Sequence, residues 1–338
     1  MDYYIGLDVS LSTTFISIVD EKGKIIEEQN MTTDSDVIAD FLNKKGLSYK
    51  KIGIESGQLS ISLCKKLLSK GLNVICVDAR HMAAALSARI NKNDKNDARG
   101  IAQMMRTGLY KEVLVKSDEA CRVKILLGSR RQLVRVRQQL NGTIRGLLKI
   151  HGIKIGPRSD RNIFNERIRQ EIKGLDNISR SSIEELIINV ESLEKSLAQL
   201  NKLATELCKK DEDCRLLTTV PGVGEITALT YKATIDDAAR FNKSEVVGAY
   251  VGLSPRQYSS GEIDRHGSIS KMGPKECRTM LYEAAQSIIT VSKRNSKLKS
   301  WGLKLAKKKG TKKAIVAVAR KLGVIMHKML VDRKEFVY

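Results

Sequence analysis

Asp8, Glu55, Asp94 and Asp97 are the residues of this chain whose type and spacing could do chemistry. Asp8 ends the apolar run Tyr3-Tyr4-Ile5-Gly6-Leu7, and Glu55 ends Ile52-Gly53-Ile54. Asp94 and Asp97 form a D-x-x-D pair within Asn93-Asp94-Lys95-Asn96-Asp97-Ala98-Arg99. Carboxylates are hard oxygen donors of the kind that hold Mg²⁺ or Mn²⁺ through few protein contacts. Two such ions about 3.5–4 Å apart can hold the attacking and leaving oxygens of a phosphoryl transfer. The rest of the chain is basic, with 60 Lys and Arg against 38 Asp and Glu and a formal net charge of +22. Such a surface faces a polyanion, most commonly nucleic acid. Acids in this order within so basic a chain point to metal-assisted chemistry on a phosphodiester. A helix cap or a surface acid would explain any one of them but hardly all four.

The 338 residues suffice for two or three domains with real cores. Cys64, Cys76, Cys121, Cys208, Cys214 and Cys277 are scattered, with no C-x-x-C pair and no nearby histidine to complete a zinc site. They read as reduced thiols that fill core space. No signal peptide precedes the first strand, and no apolar run approaches the ~18 residues of a membrane span. A cytoplasmic protein with no membrane partner is expected.

Three regions position the acids. Residues 1–110 read as strands at Tyr3–Val9, Thr14–Val19 and from Ile25, a helix after Ser35, a strand ending at Glu55, a helix over Ile61–Leu68 and a strand at Asn73–Val77. That is the order of an RNase H-like α/β sheet. It sets Asp8 on the first strand, Glu55 at the end of the fourth, and Asp94 and Asp97 on one face of a helix start. Residues 111–212 read as two long helices with a bend at His151-Gly152 to Pro157. The first carries Leu126, Leu133, Leu140 and Leu147 at heptad spacing and a basic surface that includes Arg130 and Arg137. The second opens on a capping box, Ser181-x-x-Glu184, and continues as a coiled-coil seam from Leu186 to Leu207. That seam serves an internal hairpin or a dimer contact, and the arginines form a nucleic-acid track.

Residues 213–338 are expected to be mainly helical. Pro221-Gly222-Val223-Gly224 has the form of a helix-hairpin-helix turn, in which Gly222 and Gly224 let backbone N–H groups approach a phosphate. A loop at Tyr258-Ser259-Ser260-Gly261 follows, then Ile269-Ser270-Lys271-Met272-Gly273, a helix from Lys275, a basic stretch from Ser292 to Lys313 and a closing apolar helix.

In this order the segments resemble the transposases of the insertion-sequence 110 family, which join a RuvC-like DEDD domain to a C-terminal transposase domain. The resemblance spans nearly the whole chain. It rests on Ile5-Gly6-Leu7-Asp8, Ile54-Glu55-Ser56, the D-x-x-D run, Pro221-Gly222-Val223-Gly224, Gly252-Leu253-Ser254-Pro255, Ser260-Gly261 and Ile269–Gly273 with Arg278. The D-x-x-D pair alone is weak, whereas the ordered set is specific. The resemblance implies a recombinase in which a serine of the C-terminal domain attacks DNA while the acids hold divalent metal. The matching serine is Ser260, and Ser259 leaves a one-residue slip open. It further implies a structured non-coding guide RNA pairing with donor and target duplexes, and dimers that join into a tetramer.

The residues bear on that chemistry independently. A serine hydroxyl is a weak nucleophile that needs activation, and His266 is the only histidine near Ser260 in sequence, so no Ser/His/Asp triad is evident. Arg256, Arg265, Lys271 and Arg278 are spaced to cradle phosphate oxygens. No Walker-type loop is present, as expected if a phosphoserine link conserves bond energy. The competing readings are a site-specific DNA invertase of the Piv type, a metal-dependent Holliday-junction nuclease using water, and a non-catalytic nucleic-acid scaffold.

Overall fold

The computed structural model describes residues 1–86, 93–156, 161–260 and 263–338. They divide into two compact units, Met1–Lys116 and Ser117–Tyr338.

The first unit is built from β1 (Tyr3–Val9), β2 (Thr13–Val19), β3 (Ile25–Thr32), α1 (Ser35–Lys44), β4 (Tyr49–Glu55), α2 (Ser60–Ser69), β5 (Val74–Val77), α3 (Ala79–Leu86) and α4 (Asp94–Thr107). The strands form one sheet in the order β3-β2-β1-β4-β5. β1, β2 and β3 pair antiparallel, and β1, β4 and β5 pair parallel. The alternation expected of an RNase H-like sheet is thus present. Ile5, Leu7, Ile16, Ile18, Ile52 and Ile54 pack with Ile38, Leu42, Leu63 and Leu67 of α1 and α2.

The opposite face is covered by α4, and small residues let it in. Ser17, Gly6 and Gly53 stand abreast on β2, β1 and β4. A Cβ on Gly6 would lie 2.0 Å from the Ala98 carbonyl oxygen, and one on Gly53 would lie 2.6 Å from Ile101. The helix backbone therefore rests on the sheet backbone, and Ile101, Ala102 and Met105 are buried with Tyr4 and Val19.

The second unit begins with α5 (Asp118–Leu148), a short 3₁₀ turn, α6 (Arg161–Glu171) and α7 (Asn177–Lys210). α5 and α7 form an antiparallel hairpin, because Val123 and Leu127 pack with Ala204 and Cys208, while Ile144 and Leu148 pack with Ile183, Ile187 and Val190. The seam residues Val190, Leu197 and Ala204 are buried within the chain. The heptad leucines of α5 do not form the buried line: Leu126, Leu133 and Leu140 are half-buried and Leu147 is exposed. A straight helix drifts ~20° per heptad from a seven-residue repeat, so Ile144 and Leu148 take over the contact. The capping box at Ser181 is also corrected. α7 starts a turn earlier, where Asp176 accepts the Ser179 N–H at 3.0 Å, and Glu184 pairs instead with Arg169 at 2.8 Å. Gly152 turns the chain after α5 with φ 73°, and Pro157 lies outside the described residues.

The unit continues with α8 (Glu212–Thr218), α9 (Glu225–Ile235), α10 (Val246–Tyr250), β6 (Pro255–Ser260), β7 (Ile263–Ile269), α11 (Lys275–Thr290), α12 (Lys297–Lys309) and α13 (Thr311–Asp332). Its core joins Leu229 and Tyr231 of α9, Leu281 and Ala285 of α11, and Val318 and Leu322 of α13. The expected loop at Tyr258–Ser260 is instead part of a two-stranded antiparallel hairpin, β6-β7. Its strand character was hidden because β6 is exposed at every position, so it carries no alternating apolar pattern.

Gly6→Ala should destabilise the first unit by about 3 kcal/mol or more, since backbone cannot retreat from the new Cβ. Gly128→Ala in α5, where an added Cβ meets nothing within 4 Å, should be neutral or gain up to ~1 kcal/mol. Thermal denaturation of the two variants compares them directly.

Candidate active site

The sheet register brings Asp8 and Glu55 together. Leu7 is paired with Ile54, so the next residues stand side by side on strands ~5 Å apart. Leu7 and Ile54 enter the core beneath α1 and α2; by strand alternation Asp8 and Glu55 turn to the α4 face. Both are partly exposed. They occupy the carboxyl ends of parallel strands, where open α/β sheets bind their ligands.

Asp94 and Asp97 are brought to that edge by α4. Asn93 caps the helix, its Oδ1 accepting the Asn96 N–H at 2.8 Å. At the other end, Gln103 donates to the Gly23 carbonyl and Arg106 to that of Glu21, both in the turn after β2. With Ala98 over Gly6, α4 runs antiparallel to β1, and its first turn lies toward Asp8. The four acids thus share one edge, with oxygen donors only, a set that suits a hard divalent cation in kind. Among the described residues no three Asp, Glu, His or Cys side chains are drawn close enough to hold a metal ion.

In the second unit, Ser259 and Ser260 end β6, paired across the hairpin with Asp264 and Ile263. Alternation turns them to opposite faces. Ser259 Oγ donates to Asp264 Oδ1 at 2.7 Å, and Gln257 Nε2 donates to the same oxygen at 3.1 Å. Ser260 is exposed at the strand end. Gly261 and the His266 side chain lie outside the described residues.

The basic candidates divide by what they touch. Arg278 donates to the Val251 carbonyl at 2.9 Å, tying α11 to the turn before the hairpin. Arg130 donates to Asn201 Oδ1 at 2.6 Å, joining α5 to α7, and Arg137 is half-buried on α5. Arg256 and Lys271 are exposed at the hairpin base; Arg256 reaches the Ser270 carbonyl at 3.4 Å. Gly224 opens α9 with no side-chain cap, and an added Cβ there meets nothing within 4 Å. Gly222, at φ 81°, is needed for another reason: its Cβ would lie 2.8 Å from the Ala284 carbonyl oxygen of α11.

Comparison with known proteins bears on both units. Residues 5–153 match the DEDD transposase family of IS110 elements, and residues 214–300 match the transposase family described as IS116/IS110/IS902. The chain belongs to the IS110 family of transposases. It is 27% identical over 336 residues to the transposase for insertion sequence element IS1111A of Coxiella burnetii, covering 98% of this chain and 90% of that one. It is 28% identical over 180 residues to the pilin gene-inverting protein of Moraxella bovis, covering 52% of this chain and 54% of that one. It is 28% identical over 196 residues to the transposase for IS1328 of Yersinia enterocolitica, covering 58% of each.

In this IS110-family chain the acids of α4 depend on a clamp that pattern reading missed. Arg99 binds Glu28 of β3 through two hydrogen bonds, of 2.5 and 2.8 Å, and Lys95 adds an ion pair at 3.0 Å. The signal was there, since Lys95 and Arg99 are i, i+4 on the helix that carries Asp94 and Asp97. The Arg99 hydrogen bonds, helped by Lys95, hold the Glu28 carboxyl below its ordinary value of 4.5 against the opposing effect of burial. A depressed carboxylate stabilises the fold above its unfolded-state value and loses that contribution as pH falls through the folded one. Glu28→Gln should therefore cost the transposase about 1–3 kcal/mol at neutral pH. In urea denaturation the difference from wild type should narrow as pH falls below the ordinary carboxylate range and Glu28 becomes protonated.

Proposed function

We propose that this transposase cuts and rejoins DNA strands through a serine nucleophile of the β6-β7 hairpin, Ser260, supported by a divalent metal at the carboxylate edge. The observation that carries this reading is the pairing, in one chain, of two family segments: 5–153 with Asp8, Glu55, Asp94 and Asp97, and 214–300 with the hairpin serines. In the cutting step the serine Oγ–P bond forms, the bond from phosphorus to the departing deoxyribose oxygen breaks, and the hydroxyl proton is lost as the departing oxygen gains one. Rejoining reverses this, so the phosphoserine conserves the bond and no ATP is needed. Asp8, Glu55, Asp94 and Asp97 would hold the Mg²⁺ or Mn²⁺, whose contribution when bound is to polarise phosphate oxygens. Exposed Arg256 and Lys271, and the open turn at Gly224, would contact the DNA backbone. The family resemblance supports a structured guide RNA that pairs with donor and target duplexes, and dimers that join into a tetramer.

Two further readings have specific support. The 2.7 Å hydrogen bond from Ser259 to Asp264 favours Ser259 as nucleophile, with Asp264 taking its proton. The pilin gene-inverting relative favours a Piv-type invertase, which would flank an invertible segment rather than sit inside a mobile element.

Mass spectrometry of a trapped protein–DNA adduct should place phosphate on Ser260, and Ser260→Ala should abolish it. A link on Ser259 would move the role by one residue. Continued cutting by Ser260→Ala with no adduct on any serine would mean a nuclease. Glu55→Gln and Asp97→Asn should each lower strand cleavage on the order of a thousand-fold while leaving the melting temperature nearly unchanged; undiminished recombination would sink the metal site.

A further inference from the structure

The basic stretch that the carboxylate and serine chemistry leaves unused holds the protein's only tryptophan. Between Glu283 and Asp332 the chain carries thirteen lysines and arginines and no acidic residue. α12 lies in this stretch, its start capped by Ser296 Oγ, which accepts the Lys299 N–H at 3.1 Å. Its inner face is small and apolar: Leu298 and Gly302 are buried, and a Cβ on Gly302 would lie 2.8 Å from Val318 of α13.

Its outer face is different. Lys297, Trp301, Lys304 and Lys308 recur at i, i+4, i+7 and i+11, which confines them to an arc of about 60° along some 16 Å of helix. Trp301 is 37% exposed. Lys321 of α13 sets its Nζ 4.8 Å from the indole centroid. Lys297, Lys304, Lys307, Lys308, Lys309, Lys312 and Lys313 form no ion pair among the described residues. A lysine face alone is most often solvated. An exposed indole set within it is harder to account for, because a large aromatic gains most by burial.

Cations that track a phosphate backbone, with an aromatic on which a base can stack, are the two components of a single-strand binding platform. Duplex DNA matches the charge but keeps its bases stacked on one another, so it offers no base to the indole. We propose that the outer face of α12 binds an unpaired DNA strand, one base stacked on Trp301 and the backbone following Lys297, Lys304 and Lys308. The choice of DNA rests on the recombinase reading, since cutting and exchanging strands leaves them unpaired.

Because Trp301 is the sole tryptophan, its emission reports this face in the full-length protein. Oligothymidylate should quench it saturably, and mixed-sequence duplex DNA and oligouridylate should do so far less. Trp301→Ala should weaken oligothymidylate binding by about five-fold or more, and Trp301→Phe should retain most of it. Replacing Lys297, Lys304 and Lys308 together by glutamine should flatten the slope of log K against log salt by about 2. Unchanged emission at saturating oligothymidylate, or wild-type binding by Trp301→Ala, would overturn the proposal. Equal or stronger quenching by duplex or by RNA would overturn its commitment to an unpaired DNA strand. Adduct formation is scored separately: an intact adduct without quenching removes this site alone, and quenching without an adduct removes the serine reading alone.

Discussion

The first unit depends on the close approach of one helix backbone to one sheet backbone. Ser17, Gly6 and Gly53 leave a shallow row across three adjacent strands, and α4 settles into it with the Ala98 carbonyl directly over Gly6. Any side chain in the middle of that row would lift the helix. Lifting it would also move Asp94 and Asp97 away from the edge occupied by Asp8 and Glu55. The candidate metal site is therefore specified by the glycines one strand repeat away as well as by its own acids.

Polar contacts then set the helix along that row. Glu28 grips Arg99 and Lys95 near its start, and Gln103 and Arg106 hold the turn after β2 near its end. A buried apolar interface alone tolerates sliding more readily than paired charges do, because directional hydrogen bonds are lost by small shifts. The clamp thus aligns the first turn of α4 with the sheet edge. In the second unit a comparable tie lies at the root of the long hairpin, where Lys232 of α9 meets Asp211 between α7 and α8 and Glu119 in the first turn of α5.

Local pattern was most informative where one residue type has one physical use. The strand endings at Asp8 and Glu55, the helix start at Asp94 and the turn at Gly222-Val223-Gly224 were legible as sequence because apolar periodicity and helix caps act over a few residues. The β6-β7 hairpin was not, since an exposed strand has no buried face to pattern. The heptad leucines of α5 misled for a related reason: a seven-residue spacing marks a seam only if the helices supercoil to follow it. Arg278 and Arg130 looked like phosphate ligands by charge, yet each is tied to a carbonyl or an amide within the fold. Charge is visible in a sequence and its partner is not.

By itself the sequence determined the chemistry available to this protein: hard oxygen donors in a basic chain, a serine pair before a glycine, and the order of elements in each half. Those properties belong to single residues and short runs, and they survive any rearrangement of the rest. Only the tertiary structure decided which of those groups lie on a common edge. Strand register aligned Asp8 with Glu55, the antiparallel run of α4 delivered Asp94 and Asp97 to their edge, and cross-strand pairing gave Ser259 rather than Ser260 a carboxylate partner. Register and helix direction arise from contacts between distant parts of the chain, where one residue of slip would turn every side chain to the opposite face.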